Sequence, residues 1–274
     1  MILKDFGKTG RKVSEIGMGT YYDPLWIAKA FMGLRSGSSK KALALKTGFE
    51  SGITLVDTAE IYGSEPIVAR ALAETKREDV FLATKVWPLH LHREAVIRSL
   101  EKSLKRLGTT YVDLYQVHQP NSRVPITETM SAMEELVKTG KVLHVGVSNF
   151  NLEQTQEANS ALPKSQLSSI QPDYSLINRG IEKDLLPYCE ANGIAVLAYF
   201  PLGHGRLASD SKVGEAARAY GKTNSQTALR WLARKKAVFP IPRASTVEHV
   251  QENVGASGWE MAEANAAKLD ATFA

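Results

Sequence analysis

The amino-acid sequence predicts an α/β fold, an (α/β)8 TIM barrel preceded by a β-hairpin. Three observations carry that expectation. Eight short apolar runs rich in β-branched residues alternate with segments whose apolar residues recur at helical period, the pattern of parallel strand–helix units. Eight such units fit a closed barrel better than a doubly wound sheet, which usually has five or six. The 274 residues are close to the roughly 250 such a barrel takes, and no Pro/Gly/Ser-rich linker or compositional break divides residues 1–274 into two domains.

In chain order, a hairpin is expected from 2–6 and 12–14, turning at Thr9-Gly10-Arg11. Core strands are expected at 15–20, 53–58, 79–86, 111–118, 143–149, 168–174, 194–200 and 238–242. The clearest helix is 93–107, where Val96, Leu100, Leu104 and Leu107 share a face and Gly108 stops the chain. Others are expected near 65–75, 126–138, 152–159, 182–191, 224–235 and 246–252. Ser245 and Glu248 have capping-box spacing and mark a helix start. The stretch 21–46 is long for a connection and holds Trp26, Phe31 and Arg35-Ser36-Gly37-Ser38-Ser39-Lys40. Its second half reads as the first barrel helix; its first half is either a surface excursion or a substrate-side loop. The tail, 258–274, reads as a packed surface helix.

Composition narrows the class. With 43% hydrophobic and 23% charged residues, a disordered, collagen-like or coiled-coil chain is excluded. The net charge of +5 favours anions mildly, but the basic runs are no longer than Lys40-Lys41 or Arg234-Lys235-Lys236, so no nucleic-acid partner is expected. The single Cys189 cannot form an internal disulfide and reads as a buried thiol. Residues 1–5 hold no apolar signal core, and no apolar run is long enough to span a bilayer. A cytoplasmic protein without a membrane partner is therefore expected, its oligomeric state open with a monomer favoured.

Barrel active sites lie at the C-terminal strand ends. There the sequence places Asp57, followed by Tyr62, then Lys85 and His118. Singly, each has an ordinary role as helix cap, packing residue, surface charge or core histidine. Together they suggest proton transfer. A lysine and an aspartate have no reason to stand in strands this apolar unless paired, because a lone buried charge is costly. An ammonium near a tyrosine oxygen is expected to favour the phenolate and lower the phenol's pKa, with Asp57 holding Lys85 charged. His118 can donate a hydrogen bond to a carbonyl oxygen or relay a proton. Later strand ends resemble a cofactor cradle: Ser148, Asn149 and Gln171 suit a carboxamide, and Tyr199 suits a flat ring. Arg243 at the helix start near Ser245 makes an anion site or an ordinary cap.

These residues resemble those of the aldo-keto reductases. Gly52-Ile53-Thr54-Leu55-Val56-Asp57-Thr58-Ala59-Glu60-Ile61-Tyr62-Gly63 and Val145-Gly146-Val147-Ser148-Asn149-Phe150 are similar to two of the family's signatures. The opening Phe6-Gly7-Lys8-Thr9-Gly10-Arg11-Lys12-Val13-Ser14 and Tyr199-Phe200-Pro201-Leu202-Gly203 are also similar to it, and the match runs in register to Asn253. The resemblance implies a barrel that reduces carbonyl groups of small molecules with NADPH, or more weakly NADH, and that Tyr62 is the general acid of a tetrad with Asp57, Lys85 and His118. It further implies a cofactor held by Ser148, Asn149, Gln171, Tyr199, Pro201, Leu202, Gly203, Gly205, Arg243, Ser245, His249 and Asn253. No metal is implied. Two departures stand out. Arg243, Ala244 and His249 occupy places where well-studied members have Lys, Ser and Arg, and the tail is too short for a long C-terminal pocket loop. Substrate selection then falls to other segments: Tyr21, Tyr22, Trp26, Trp87 and 119–125, an aromatic set that can equally be packing.

Three other readings remain. Gly203-His204-Gly205-Arg206-Leu207-Ala208 matches a loose dinucleotide fingerprint, but lies after the seventh strand with no acidic residue about 20 positions on. His90-Leu91-His92 has the spacing of metal-dependent barrel hydrolases. A non-catalytic, cofactor-sensing subunit is the third, since fold alone does not set function.

Overall fold

The computed structural model describes residues 1–34, 36–243 and 245–274. Arg35 of the Gly/Ser-rich stretch and Ala244 of the final motif lie outside the described residues. The hairpin forms from β1 (Leu3–Asp5) and β2 (Lys12–Ser14). Eight parallel strands follow: β3 (Met18–Gly19), β4 (Leu55–Asp57), β5 (Phe81–Val86), β6 (Val112–Val117), β7 (Val142–Ser148), β8 (Ser169–Gln171), β9 (Ala195–Ala198) and β10 (Val238–Pro240). They pair strictly in sequence order from β3 to β10. The ring closes between the first and last of them, where Gly17 and Gly19 N–H groups donate to the Pro240 and Pro242 carbonyls, each at 2.9 Å. Glycine is required at that seam, because a Cβ on Gly19 would stand 2.7 Å from the Ile241 oxygen.

Residues of period two point alternately into and out of a barrel. Phe6 of the hairpin, Leu55, Phe81, Ala83, Leu114, Leu197 and Phe239 fill the barrel floor, with Phe6 packed 4.5 Å from the Phe81 ring and 5.1 Å from Phe239. Their neighbours Val56, Leu82, Tyr115 and Val196 face the surrounding helices. Two residues beyond Leu55, Ala83 and Leu197 the same inward parity reaches Asp57, Lys85 and Tyr199, while Ser148 and Gln171 pair across the ends of β7 and β8. The floor's apolar parity thus delivers polar groups to the mouth.

The helices α1 (Pro24–Phe31) and α2 (Ser38–Glu50) resolve the 21–46 stretch. Asp23 caps α1 by accepting from the Trp26 N–H at 2.7 Å. Next come α3 (Glu65–Leu72), α4 (Arg93–Leu107), α5 (Ile126–Lys138) and α6 (Leu152–Ser160), close to expectation. The helix expected at 182–191 is divided into a 3₁₀ turn (Gly180–Lys183) and α7 (Leu185–Asn192), because the Asp184 side chain caps the Leu185 N–H. A helix not expected, α8 (Ser211–Arg218), precedes α9 (Asn224–Ala233), α10 (Val247–Val254) and the tail helix α11 (Glu263–Thr272). The Ser245–Glu248 capping box is not formed. Thr246, with φ −139° and ψ 160°, is the N-cap and accepts from the His249 N–H, which moves the helix start one residue on. Most strands are also shorter than expected, since their last residues leave the ladder to form the mouth. Among the described residues no helix is long and apolar enough to cross a membrane.

Candidate active site

Asp57, Lys85, Tyr62 and His118 meet at the mouth. The Lys85 ammonium, wholly buried, donates to Asp57 Oδ2 at 2.6 Å and to the Thr58 carbonyl at 2.8 Å. The other Asp57 oxygen accepts from Gln171 Nε2 at 2.9 Å. Tyr62 stands in the 3₁₀ turn Glu60–Tyr62 just beyond β4. Its hydroxyl lies 3.3 Å from His118 Nε2, while Lys85 Nζ is 4.9 Å from the centre of its ring. The tyrosine's hydrogen-bond partner is therefore the histidine, and the ammonium lies against the aromatic ring.

Burial dominates the electrostatics. It raises the Tyr62 phenol well above its ordinary value, with the Asp57 charge adding to the effect. The expected lowering by Lys85 is thus overturned, because desolvation of the phenolate outweighs attraction to a charge already paired with Asp57. Burial pushes Asp57 up and Lys85 down, each opposed by the other's charge. His118 is pushed down to about 3, first by burial and then by the Lys85 charge, so its imidazole is neutral. Its buried Nδ1 has no partner among the described residues. An orphaned N–H is rarer than an orphaned acceptor, which favours the proton on Nε2, where it meets the Tyr62 oxygen.

The cradle residues form a chain of hydrogen bonds. Ser148 Oγ donates to the Gln171 carbonyl at 2.7 Å, Asn149 Nδ2 to the His118 carbonyl at 2.9 Å, and the Tyr199 hydroxyl to Asn149 Oδ1 at 2.7 Å. Asn149 holds a left-handed backbone, φ 63°, a conformation that asparagine tolerates better than most residues. Gln171, expected to offer its amide to a ligand, spends that donor on Asp57.

A cavity of about 420 Å³ opens over Tyr62 and His118, walled by Tyr21, Ile27, Ile61, Trp87 and Phe200. A second, of about 700 Å³, shares Tyr21, Phe200, Pro201 and Arg243 with it and continues past Leu202, Gly205, His249 and Asn253. Ser245 lines neither; its hydroxyl is 3.2 Å from His249 Nδ1. Gly203 also faces away, since a Cβ there would clash with Ile177. Arg243 donates to the Tyr22 carbonyl at 2.6 Å. Of the expected aromatic set, Tyr21 and Trp87 line the first cavity. Tyr22 borders only the second, and Trp26 borders neither: its ring packs 5.1 Å from Tyr22 and its indole N–H donates to the Ser36 carbonyl. Trp26 is packing because the α1 cap turns it inward. Ile27, Ile61 and Phe200 were missed, although each directly neighbours a residue singled out in the sequence.

The His90-Leu91-His92 pair does not converge. His90 meets Glu60 at 2.9 Å and His92 meets Glu128 at 3.2 Å. Among the described residues no three His, Cys, Asp or Glu side chains form a group suited to a metal ion. Cys189 is buried and its thiol pushed up to about 12. The Gly203–Ala208 run forms the loop after β9, with left-handed backbone at Gly203, His204 and Gly205.

Fold and site together define a barrel whose mouth holds a buried Lys85–Asp57 pair beside the Tyr62–His118 contact. A sequence profile described as the aldo/keto reductase family matches residues 32–273. The chain is similar to a methylglyoxal reductase of Escherichia coli, YeaE, with 38% identity over 267 residues, 94% of this chain and 90% of that protein. It is also similar to the crystal structure of a thermostable aldo-keto reductase, Tm1743, bound to the inhibitor epalrestat, with 37% identity, TM-score 0.90 and 99% of both chains covered. An aldo-keto reductase from Klebsiella pneumoniae in complex with NADPH is 34% identical, with TM-score 0.88 over 100% of this chain and 96% of that one. The chain belongs to the aldo/keto reductase family and is an oxidoreductase.

Proposed function

We propose that the protein reduces aldehydes, and more slowly ketones, to alcohols with NADPH, using Tyr62 as general acid. The observation that carries this reading is the Tyr62 hydroxyl, 3.3 Å from a neutral His118 and beside the Lys85–Asp57 pair, at the first cavity, which joins the second at Tyr21, Phe200, Pro201 and Arg243.

The residues present suit the cofactor. Ser148 Oγ and Asn149 Oδ1, whose residues spend their own donors within the cradle, keep acceptor capacity for the N–H groups of a carboxamide, and Tyr199 offers a ring face at the first cavity. Arg243 and His249 line the second, where a 2′-phosphate would need cations. When bound, the dihydronicotinamide supplies the hydride that the carbonyl carbon accepts. The chain's own groups handle the oxygen. His118 Nε2–H donates a hydrogen bond that orients the carbonyl, and Tyr62 transfers its phenolic proton as negative charge develops there. Lys85 stabilises the phenolate left behind, and its lowered pKa makes it a ready proton source for restoring the phenol. Asp57 positions Lys85. NADH lacks the phosphate that Arg243 would hold and is expected to serve less well.

Tyr62→Phe tests the assignment. Turnover, followed by loss of NADPH absorbance, should fall by about 10²- to 10⁴-fold, while cofactor binding measured by fluorescence quenching stays unchanged. Wild-type turnover in that variant removes Tyr62 from the mechanism.

A further inference from the structure

We propose that the substrates of this site are apolar aldehydes, aliphatic or aromatic, rather than sugars or 2-oxo acids, and that Ile27 of α1 sets that preference. The inference rests on the carbonyl-reduction reading above. Around the reacting Tyr62 and His118, the wall is made by Tyr21, Ile27, Ile61, Trp87 and Phe200 with Gln119, while the polar Ser148, Asn149, Gln171 and Tyr199 line the side that the reading above gives to the cofactor. The lining residues that carry charge are committed elsewhere. Asp57 is bonded to Lys85 and Gln171, and Arg243 stands at the border with the second cavity, where the reading above gives its remaining donors to the cofactor phosphate. A substrate carboxylate therefore finds no free cation among the described lining residues, and sugar hydroxyls would surrender water for carbon.

Helix α1 contributes Ile27 to this wall. Asp23 caps it and Pro24 starts it, while Trp26 and Ala30 turn inward against the barrel. The anchor is the turn carrying Tyr62 itself: a Cβ on Gly63, where φ is +67°, would stand 2.7 Å from the Ala30 Cβ. Packing α1 on Gly63 brings Ile27, the residue after Trp26, to the cavity. The two segments that carry Ile27 and Trp87 also hold exposed apolar residues. Leu25 is 64% exposed on α1, Met32 and Leu34 just beyond it are 67% and 60% exposed, and Leu89 after Trp87 is 70% exposed.

The experiment compares kcat/KM at saturating NADPH for propanal, butanal, pentanal and hexanal, with glyceraldehyde and glyoxylate as polar counterparts. Each buried methylene should raise kcat/KM by about fourfold, and both polar substrates should fall below propanal. Ile27→Asn should flatten the series. Ile27→Ala, which keeps a good helix former in α1, should lower hexanal more than propanal. A flat wild-type series, or glyceraldehyde or glyoxylate matching hexanal, overturns the apolar class while leaving carbonyl reduction standing. A series unchanged in both Ile27 variants overturns the role of Ile27. No turnover of any aldehyde or ketone overturns the functional reading itself.

Discussion

Lys85→Met removes the ammonium from an ion pair whose side chains are 0% and 3% exposed, leaving Asp57 with the Gln171 amide and freeing the Thr58 carbonyl. Removing one partner of a buried pair typically costs 3–5 kcal/mol, about that much being expected here, because the remaining carboxylate has lost its countercharge in a dry site. Replacing both partners is far milder. In Lys85→Met/Asp57→Asn the new amide can still accept from Gln171 Nε2 and no net charge is stranded, so stability should return to within about 1–2 kcal/mol of wild type. Turnover should not return with it, since the phenolate then has no cation beside it. Urea unfolding followed by tryptophan fluorescence, with NADPH turnover on the same four proteins, separates the two effects. If the double variant loses the sum of the single losses in stability, or if Lys85→Met turns over like wild type, the shared-charge account is wrong.

Three further outcomes are expected. Combining Lys85→Met with Tyr62→Phe should cost no more turnover than the worse single variant, and Asp57→Asn should cost less than Lys85→Met, because residues acting as one unit are not additive; multiplying losses in steady-state assays would contradict this. Arg243→Ala should weaken NADPH by about 10- to 150-fold, the equivalent of one charge-assisted contact worth roughly 1.5–3 kcal/mol, and leave NADH nearly unchanged; equal losses in fluorescence titrations would place Arg243 on a part common to both cofactors. His118 titrates at about 3 when folded against 6.5 ordinarily. Between those values the unfolded chain binds the extra proton, so stability falls as pH drops below 6.5. At 1.36 kcal/mol per unit that is about 2 kcal/mol by pH 5. His118→Asn should show a correspondingly smaller acid loss in urea titrations at the two pH values, and an equal loss would refute the neutral, desolvated histidine.

Eight apolar runs and their helical separators were legible in the chain because they are local patterns. So were α4 and α5, whose apolar stripes are long and regular. Asp57, Lys85, Ser148, Gln171 and Tyr199 could be singled out because each interrupts or ends an apolar strand, where a polar group has little reason to stand without a partner. Helix α8 was not legible: it is short, carries Gly214, and buries only Val213 and Ala217. The start of α10 was misplaced by one residue because Ser245 and Thr246 are both competent caps, and the backbone at Thr246 decides between them. Partner choice lay further still beyond the chain's local order. That Tyr62 reaches His118 while Lys85 lies against its ring, that Gln171 serves Asp57, and that α1 docks on Gly63 to make Ile27 a wall all depend on closure of the ring at Gly19 and Arg243. Periodicity sets which way a side chain faces along its own strand. Only the closed barrel brings strands more than a hundred residues apart into one mouth, and with them the burial that sets each group's charge.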